Sequence, residues 1–189
     1  MSNLLTAPRL KAIALVLGLA ALAGVARVMP HAPNFTPVAA VGLYVAFATR
    51  RASLGVLTAL IAVVAADLAI GGYQWQVQAV VWAALAVPAL FGARIPAFGG
   101  NAAKTMGIAS GAAFAGALLF FIASNLATWA FTGMYANTAA GLMTAFAAAV
   151  PFFKYTLAGD LLWTAVFFGA HAALLRAARN PSSQIARLS

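Results

Sequence analysis

The residues able to bind a ligand are few, and they gather after the first apolar segment. Arg27–Thr36 reads R-V-M-P-H-A-P-N-F-T and is followed by Pro37. An arginine, a histidine, an asparagine and a threonine therefore fall between two runs of apolar residues. Such groups are expensive on a lipid-facing helix. We expect this stretch to lie over or inside the outer mouth of a small helical membrane protein.

More polar side chains fall on the same side of the membrane in the topology derived below. Asp67 ends the third apolar run, Asn125 and Trp129 lie late in the fifth, and Lys154 and Asp160 lie near the start of the last. Ionisable residues within a membrane usually face a cavity or pair with one another. The candidate substrate-binding residues are Arg27, His31, Asn34, Thr36, Asp67, Asn125, Trp129, Lys154 and Asp160.

The charged members of this set allow a second interpretation. Two acids (Asp67 and Asp160) and two cations (Arg27 and Lys154) at similar depth can neutralise one another and lock helix ends without touching a ligand. For each charged residue alone, ion pairing and ligand contact are equally good predictions. Taken together with the aromatic and amide side chains, the set favours an outward-facing binding pocket.

Catalytic, metal-binding and cofactor-binding patterns are absent from the sequence. The chain has no cysteine and no acidic cluster, and its two histidines, His31 and His171, are far apart. No hydroxyl sits in a nucleophile motif, and no glycine-rich loop with a lysine could cradle a phosphate. We therefore expect no metal site, no cofactor and no enzymatic activity. An intramembrane enzyme that uses Asp67 and Asp160 together is a further hypothesis, and it requires the two carboxyl groups to be within hydrogen-bonding reach.

Composition identifies the class of protein. Of the 189 residues, 65% are hydrophobic and only 7% are charged, which is too few to cover the surface of a soluble domain. Several apolar runs reach the ~18–20 residues needed to cross a bilayer. The net charge of +9 does not indicate nucleic-acid binding, because the cations stand at the ends of apolar runs and form no stripe with aromatic residues. The sequence predicts an all-α polytopic membrane protein with one domain, residues 1–189.

Six transmembrane helices are predicted, at about 9–28, 37–49, 53–70, 77–91, 105–131 and 155–175. The second is short and begins at Pro37 with Thr36 as its N-cap, so the preceding segment can dip into the protein. A short re-entrant or interfacial helix is expected over 139–150, because Pro151 should end it.

The positions of the cations predict the topology. With both termini inside, nine of the eleven Lys and Arg residues are cytoplasmic, and only Arg27 and Lys154 are outside. The nine are Arg9, Lys11, Arg50, Arg51, Arg94, Lys104, Arg176, Arg179 and Arg187. We expect a multi-pass protein of the bacterial cytoplasmic (inner) membrane.

The first span carries small residues at four-residue spacing. Ala14 with Gly18, and Ala20 with Gly24, form pairs that let another helix approach closely. Packing within this alanine-rich protein is the favoured interpretation, and docking of a partner subunit is the alternative.

Four sequence blocks resemble an uncharacterised family of small bacterial membrane proteins regarded as candidate transport proteins. The blocks are M-P-H-A-P-N-F-T-P-V-A-A (29–40), A-D-L-A-I-G (66–71), S-N-L-A-T-W (124–129) and P-F-F-K-Y-T-L-A-G-D-L-L-W-T (151–164). They are distributed over nearly the whole chain, and the first and last are the most specific. The family supplies no established activity.

At the level of fold, the predicted size, span number, topology and outer pocket resemble the S-components of energy-coupling-factor (ECF) vitamin transporters. That resemblance implies a vitamin or precursor bound from outside, beneath a lid formed in part by the loop after span one. It also implies docking of a transmembrane partner, with its ATPase module, on Ala14, Gly18, Ala20 and Gly24, although some relatives act alone. Cobalamin-specific relatives use a cysteine as cobalt ligand, and this chain has none.

Two hypotheses about function follow. The first is a substrate-binding membrane transport protein for uptake of a small water-soluble nutrient, a vitamin or cofactor precursor. The second is a structural or assembly subunit of a membrane complex, in which the outer polar residues form only ion pairs and interfacial anchors.

Overall fold

The computed structural model describes residues 7–99 and 101–179, and all of their regular structure is helical. These residues form α1 (Ala7–Val28), α2 (Val38–Thr49), α3 (Ala52–Ile70), α4 (Trp75–Ala86), α5 (Ala89–Gly92), α6 (Ala102–Phe131) and α7 (Ala139–Arg179). Arg187 and the two ends of the chain lie outside the described residues.

The helices are those of a multi-pass membrane protein. Within the described residues, five segments are long and apolar enough to cross a bilayer: Arg9–Val28, Ala52–Ile70, Trp75–Gly92, Ala102–Phe131 and Ala139–Arg179. A further apolar helix, α2, is shorter. It has 12 residues and is therefore about 18 Å long. It falls short of the ~30 Å hydrocarbon layer.

The short helix α2 is the centre of the bundle. Nine of its 12 residues are buried, and it packs against every other helix of the described structure. A helix that is apolar on all sides can be stable only when other elements surround it. Because the other helices cover α2, the outer helices supply the surface that faces lipid.

Glycines allow α2 to lie unusually close to its neighbours. A Cβ atom added to Gly55 of α3 would overlap the carbonyl oxygen of Gly42, and one added to Gly92 of α5 would overlap the carbonyl oxygen of Leu43. The backbones of α3 and α5 therefore pack directly on the backbone of α2. Small residues at helix contacts in membranes permit this kind of packing.

The prediction that Pro151 ends a separate short helix is wrong. Pro151 lies inside α7, a single helix of 41 residues. A proline inside a helix costs about 3 kcal/mol, but within membranes neighbouring elements often make it tolerable. Phe121 of α6 packs against Phe146 at 5.5 Å and against Phe153 at 5.0 Å between ring centroids. One ring thus holds α7 on both sides of Pro151.

Two other boundaries differ from the sequence prediction. The span predicted at 77–91 corresponds to the segment Trp75–Gly92, within which a turn at Val87–Pro88 separates α4 from α5. The helix α2 begins at Val38 with Pro37 as its N-cap, and no side chain caps it, so Thr36 is not the N-cap. Since proline fixes its own φ and lacks an N–H, it can precede a helix without a capping side chain.

The bundle has two chemically different ends. At one, which we call the Asp67 end, Arg27 lies beside Asp67 and the side-chain amide of Gln74 donates to the carbonyl oxygen of Phe131. At the other, which we call the Arg50 end, Arg50 donates to the carbonyl oxygen of Ile95 at 2.6 Å. Eight cations belong to the Arg50 end: Arg9, Lys11, Arg50, Arg51, Arg94, Lys104, Arg176 and Arg179.

The close packing of α2 predicts which glycines tolerate a methyl group. Gly55→Ala should destabilise the protein by about 1–3 kcal/mol, because the added carbon meets backbone that cannot move aside. Gly107→Ala on α6 should be neutral or stabilising by about 0.5–1 kcal/mol, because nothing lies within 4 Å of the added carbon. Thermal unfolding of both variants in the same detergent checks the contrast. Equal melting temperatures for the two would contradict the packing described here.

Candidate functional site

The segment between α1 and α2 enters the bundle beside α7. Asn34 has φ +59°, a left-handed conformation that asparagine adopts more readily than most residues, and Thr36 and Pro37 after it are buried. A Cβ atom added to Gly159 of α7 would lie 3.1 Å from the Cα atom of Phe35. The absence of a side chain at Gly159 therefore lets this segment lie against the middle of α7.

A cavity of about 230 Å³ lies beside this segment, between α4, α6 and α7. Five of the residues around it are polar, and four are phenylalanines. The lining residues are Asn34, Val77, Val81, Phe120, Phe121, Ser124, Asn125, Thr128, Ala149, Phe152, Phe153 and Thr156. No charged side chain is among them. The cavity therefore combines flat apolar walls with neutral hydrogen-bonding groups.

The polar residues of α6 direct their donors to their own helix. Ser124 Oγ donates to the carbonyl oxygen of Phe120 at 2.7 Å, and Thr128 Oγ1 donates to that of Ser124 at 2.9 Å. Asn125 Nδ2 donates to the carbonyl oxygen of Phe121 at 2.7 Å. The side-chain oxygens of all three residues keep their capacity to accept. Asn34 makes no side-chain hydrogen bond within the described residues, so it can offer both donor and acceptor groups.

Asp67 organises a separate polar cluster at its end of the bundle. Its carboxylate is 99% buried and accepts from Arg27 Nε at 2.9 Å and from Trp82 Nε1 at 2.8 Å. Gln78 Nε2 lies at the limit of hydrogen-bonding distance, 3.5 Å away. Tyr73 lies nearby in the α3–α4 connection, where partial burial and then the charge of Asp67 raise the pKa of its hydroxyl, partly offset by Arg27. The cluster joins α1, α3 and α4 through one carboxylate.

His31 is exposed and bonds only to backbone. Its Nδ1 lies 2.7 Å from the carbonyl oxygen of Ala32, and its Nε2 lies 3.0 Å from that of Arg27. A neutral imidazole can donate only one of these hydrogen bonds, whereas a protonated ring can donate both. The ring thus ties the end of α1 to the turn that follows it.

The remaining predicted residues lie apart from one another. Trp129 Nε1 donates to the carbonyl oxygen of Ala136 at 3.0 Å, across the α6–α7 connection. Lys154 is exposed, with its Nζ 4.9 Å from the centre of the Tyr155 ring. Asp160 is buried in the middle of the bundle and has no hydrogen-bond or ion-pair partner among the described residues.

Of the nine predicted binding residues, the structure places Asn34 and Asn125 at the cavity. Arg27 and Asp67 pair with each other. Thr36 is buried in the segment between α1 and α2, two residues after Asn34. His31, Trp129, Lys154 and Asp160 do not line it. Residues 7–99 and 101–179 contain no group of three acidic or histidine side chains placed to hold a metal ion.

Sequence reasoning missed several polar residues that the structure brings together. Ser124 and Thr128 line the cavity on one face of α6, and Thr156 lines it from α7. Trp82 donates a further hydrogen bond to the carboxylate of Asp67. The available signal was spacing: Gln74, Gln78 and Trp82 recur every fourth residue, as do Ser124 and Thr128, so each set shares one helix face.

The small residues of α1 divide into two groups. Ala20 is buried, and a Cβ atom on Gly24 would lie 3.4 Å from the carbonyl oxygen of Ala62 of α3. Ala14 and Gly18 are exposed, and nothing lies within 4 Å of a Cβ atom on Gly18. The first pair packs inside the protein, whereas the second faces outward.

Comparison with known proteins adds a family. A model described as "Family of unknown function (DUF6580)" matches residues 8–183. The chain belongs to this family. No curated protein and no solved structure matches the chain. Membership of this family assigns no activity to the chain.

The Asp67 cluster predicts a large effect of removing its carboxylate. Asp67→Ala should lower stability by about 3–5 kcal/mol, because it leaves a largely buried guanidinium and an indole N–H without their acceptor. Lys154→Ala, at an exposed cation, should change stability by less than about 0.5 kcal/mol. Thermal unfolding in detergent measures both changes.

A double-mutant cycle separates the ion pair from simple packing. The Arg27→Ala/Asp67→Ala protein should be more stable than the sum of the two single changes predicts, because the unpaired buried charge is gone. Additive effects would show that the two residues stabilise the protein independently.

Proposed function

We propose that this chain is a substrate-binding membrane transport protein for uptake of a small water-soluble nutrient, a vitamin or cofactor precursor. The supporting observation is the neutral polar cavity, whose lining includes Asn34 and Asn125. Its lining comes from three helices and from the segment before α2, which is the arrangement expected for a site between helices that can separate.

The size and lining of the cavity restrict the ligand. About 230 Å³ is below the ~300–1,000 Å³ of pockets that hold drug-sized molecules, so the ligand must be small. Phe120, Phe121, Phe152 and Phe153 provide faces and edges against which a flat ring packs well. Because no lining residue is charged, the favoured ligand is an uncharged ring compound with several hydrogen-bonding groups.

The arrangement of charge supports an outward-facing cavity. Eight cations belong to the Arg50 end, and the positive-inside rule makes that end cytoplasmic. Thr128 lies one turn from the end of α6 at the Asp67 end, so the cavity is nearer the outer surface. We propose six crossings with both termini inside, and a location in the bacterial inner membrane.

The resemblance to ECF S-components remains part of the proposal. The proposed docking surface now includes only two of the four small residues of α1. Ala20 and Gly24 pack against α3, so the outward-facing pair Ala14 and Gly18 is left for a transmembrane partner. The segment from Met29 to Pro37 takes the place of the lid. The alternative is that the protein transports its substrate alone, without a partner ATPase module.

One observation favours the second candidate, a structural or assembly subunit. The predicted charged residues do not converge on a ligand site: Arg27 and Asp67 neutralise each other, and Lys154 faces outward. Asn34 and Asp160 line two different cavities, and Asp67 lines neither of them. If the polar cavity binds nothing, the outer polar residues serve only as the Arg27–Asp67 ion pair and as interfacial anchors.

Filling the cavity tests the transport proposal. Ser124→Leu should remove the bound small molecule, because a leucine side chain occupies much of the space, whereas Ala115→Leu on an exposed face of the same helix should leave it in place. Mass spectrometry of protein purified in mild detergent detects a co-purified molecule. Uptake of that molecule by cells expressing each variant then measures transport, with at least a tenfold loss expected for Ser124→Leu.

Two results would argue against a binding role. One is wild-type protein that carries no small molecule and is not stabilised against heat by any member of a panel of vitamins and their precursors. The other is equal occupancy in the Ser124→Leu and Ala115→Leu proteins.

A further inference from the structure

Asp160 is a buried acid without a visible partner for its charge. It is only 5% exposed, and it forms no hydrogen bond and no ion pair with any residue in 7–99 or 101–179. The small void beside it is lined by Ala39, Ala40 and Leu43 of α2, Pro88, Ala113 of α6 and Thr164 of α7. All of these side chains except Thr164 are apolar.

The chain holds its two acids in opposite environments. Asp67 is surrounded by donors, including the guanidinium of Arg27, which satisfy its negative charge. Asp160 has none of these. An unpaired carboxylate in an apolar interior costs several kcal/mol, and such a group is normally accommodated by binding a proton or another cation. The question is which cation Asp160 binds.

The surroundings of Asp160 supply too few oxygen ligands for a divalent cation and favour a proton. The void is too small to admit a water molecule, and Thr164 contributes the one other side-chain oxygen that lines it. Calcium and magnesium need six or more oxygen ligands. No titratable side chain other than Asp160 lines the void. Along α2 and α7 towards the Arg50 end, the nearest titratable groups are Tyr44 and His171, which bond to each other at 3.0 Å.

One hydroxyl group, that of Thr156, lies between Asp160 and the polar cavity along α7, and a second, that of Thr164, lies one turn beyond Asp160. Thr156, Asp160 and Thr164 follow at four-residue intervals on α7, so they lie about 6 Å apart along one face. All three are buried, Thr156 lines the polar cavity, and Thr164 Oγ1 has no hydrogen-bond partner among the described residues. A protonated carboxyl has both a donor and an acceptor, so it can bond to such a hydroxyl.

We infer that Asp160 is a proton-binding site in the membrane interior, a neutral carboxylic acid at neutral pH that exchanges its proton through the cavity by way of Thr156. In this step the O–H bond of the acid breaks, the Thr156 hydroxyl takes up that proton and releases its own, and a new O–H bond forms on a water molecule in the cavity, which leaves Asp160 as a carboxylate. Proton binding needs no nutrient. Only its use as the coupling ion for uptake rests on the proposed function.

Infrared spectroscopy tests the inference directly, because Asp67 and Asp160 are the only acidic side chains of the chain. In lipid nanodiscs at neutral pH, the wild-type protein should show the C=O stretch of a neutral carboxylic acid. Asp160→Asn should lose this band, and Asp67→Asn should keep it. Biosynthetic labelling of wild-type protein with ¹³C-carboxyl aspartate should shift the band, so that its assignment to aspartate does not depend on either variant folding.

The contrary outcomes are equally distinct. No neutral-acid band at neutral pH, or a band that survives Asp160→Asn, overturns the proton site. For the route, the band should shift on transfer to D₂O within minutes in wild-type protein and at least tenfold more slowly in Ser124→Leu. Equal rates overturn the path through the cavity. If the protein shows the neutral-acid band but binds no nutrient, the proton site stands although the proposed transport function fails.

Discussion

The close approach of the α2 backbone to α3 and α5 is the constraint on which the rest of the structure depends. Gly42, Gly55 and Gly92 remove the side chains that would hold these helices apart. Because α2 is central and short, the chain must descend into the bundle before the helix begins. That descent buries Thr36 and brings Asn34 to the wall of the cavity. The polar site is thus a consequence of how tightly an apolar helix is packed.

The two acids show how the fold distributes polarity without many charges. Asp67 gathers a cation, an indole and an amide from two other helices, and this cluster closes one end of the bundle. Asp160 stands among alanine, leucine and proline side chains at the centre. The polar cavity is lined by neutral groups only. A ligand there would meet hydrogen-bonding groups but no fixed charge.

The sequence allowed the helices to be located but not the partners of their polar residues. Apolar runs bounded by Arg50, Gly71 and Thr132 predicted most helix ends within a few residues, because those signals are local. The continuity of α7 through Pro151 was not predictable, because it depends on Phe121 of another helix. The same reason explains why Trp82 was missed as a partner of Asp67. Such contacts depend on which helices become neighbours, and one sequence does not contain that information.

The unbroken helix α7 gives the protein a stiff connection between its two ends. With 41 residues it is about 60 Å long, roughly twice the thickness of the hydrocarbon layer. One part of it forms the cavity wall at Phe152, and its last turn reaches the carbonyl oxygen of Phe98 through Arg179. About 40 Å separates those points. A tilt of about 5° at the cavity would therefore move the last turn by about 3 Å, enough to break that contact. The position of the last turn of α7 is therefore sensitive to small changes in packing at Phe152.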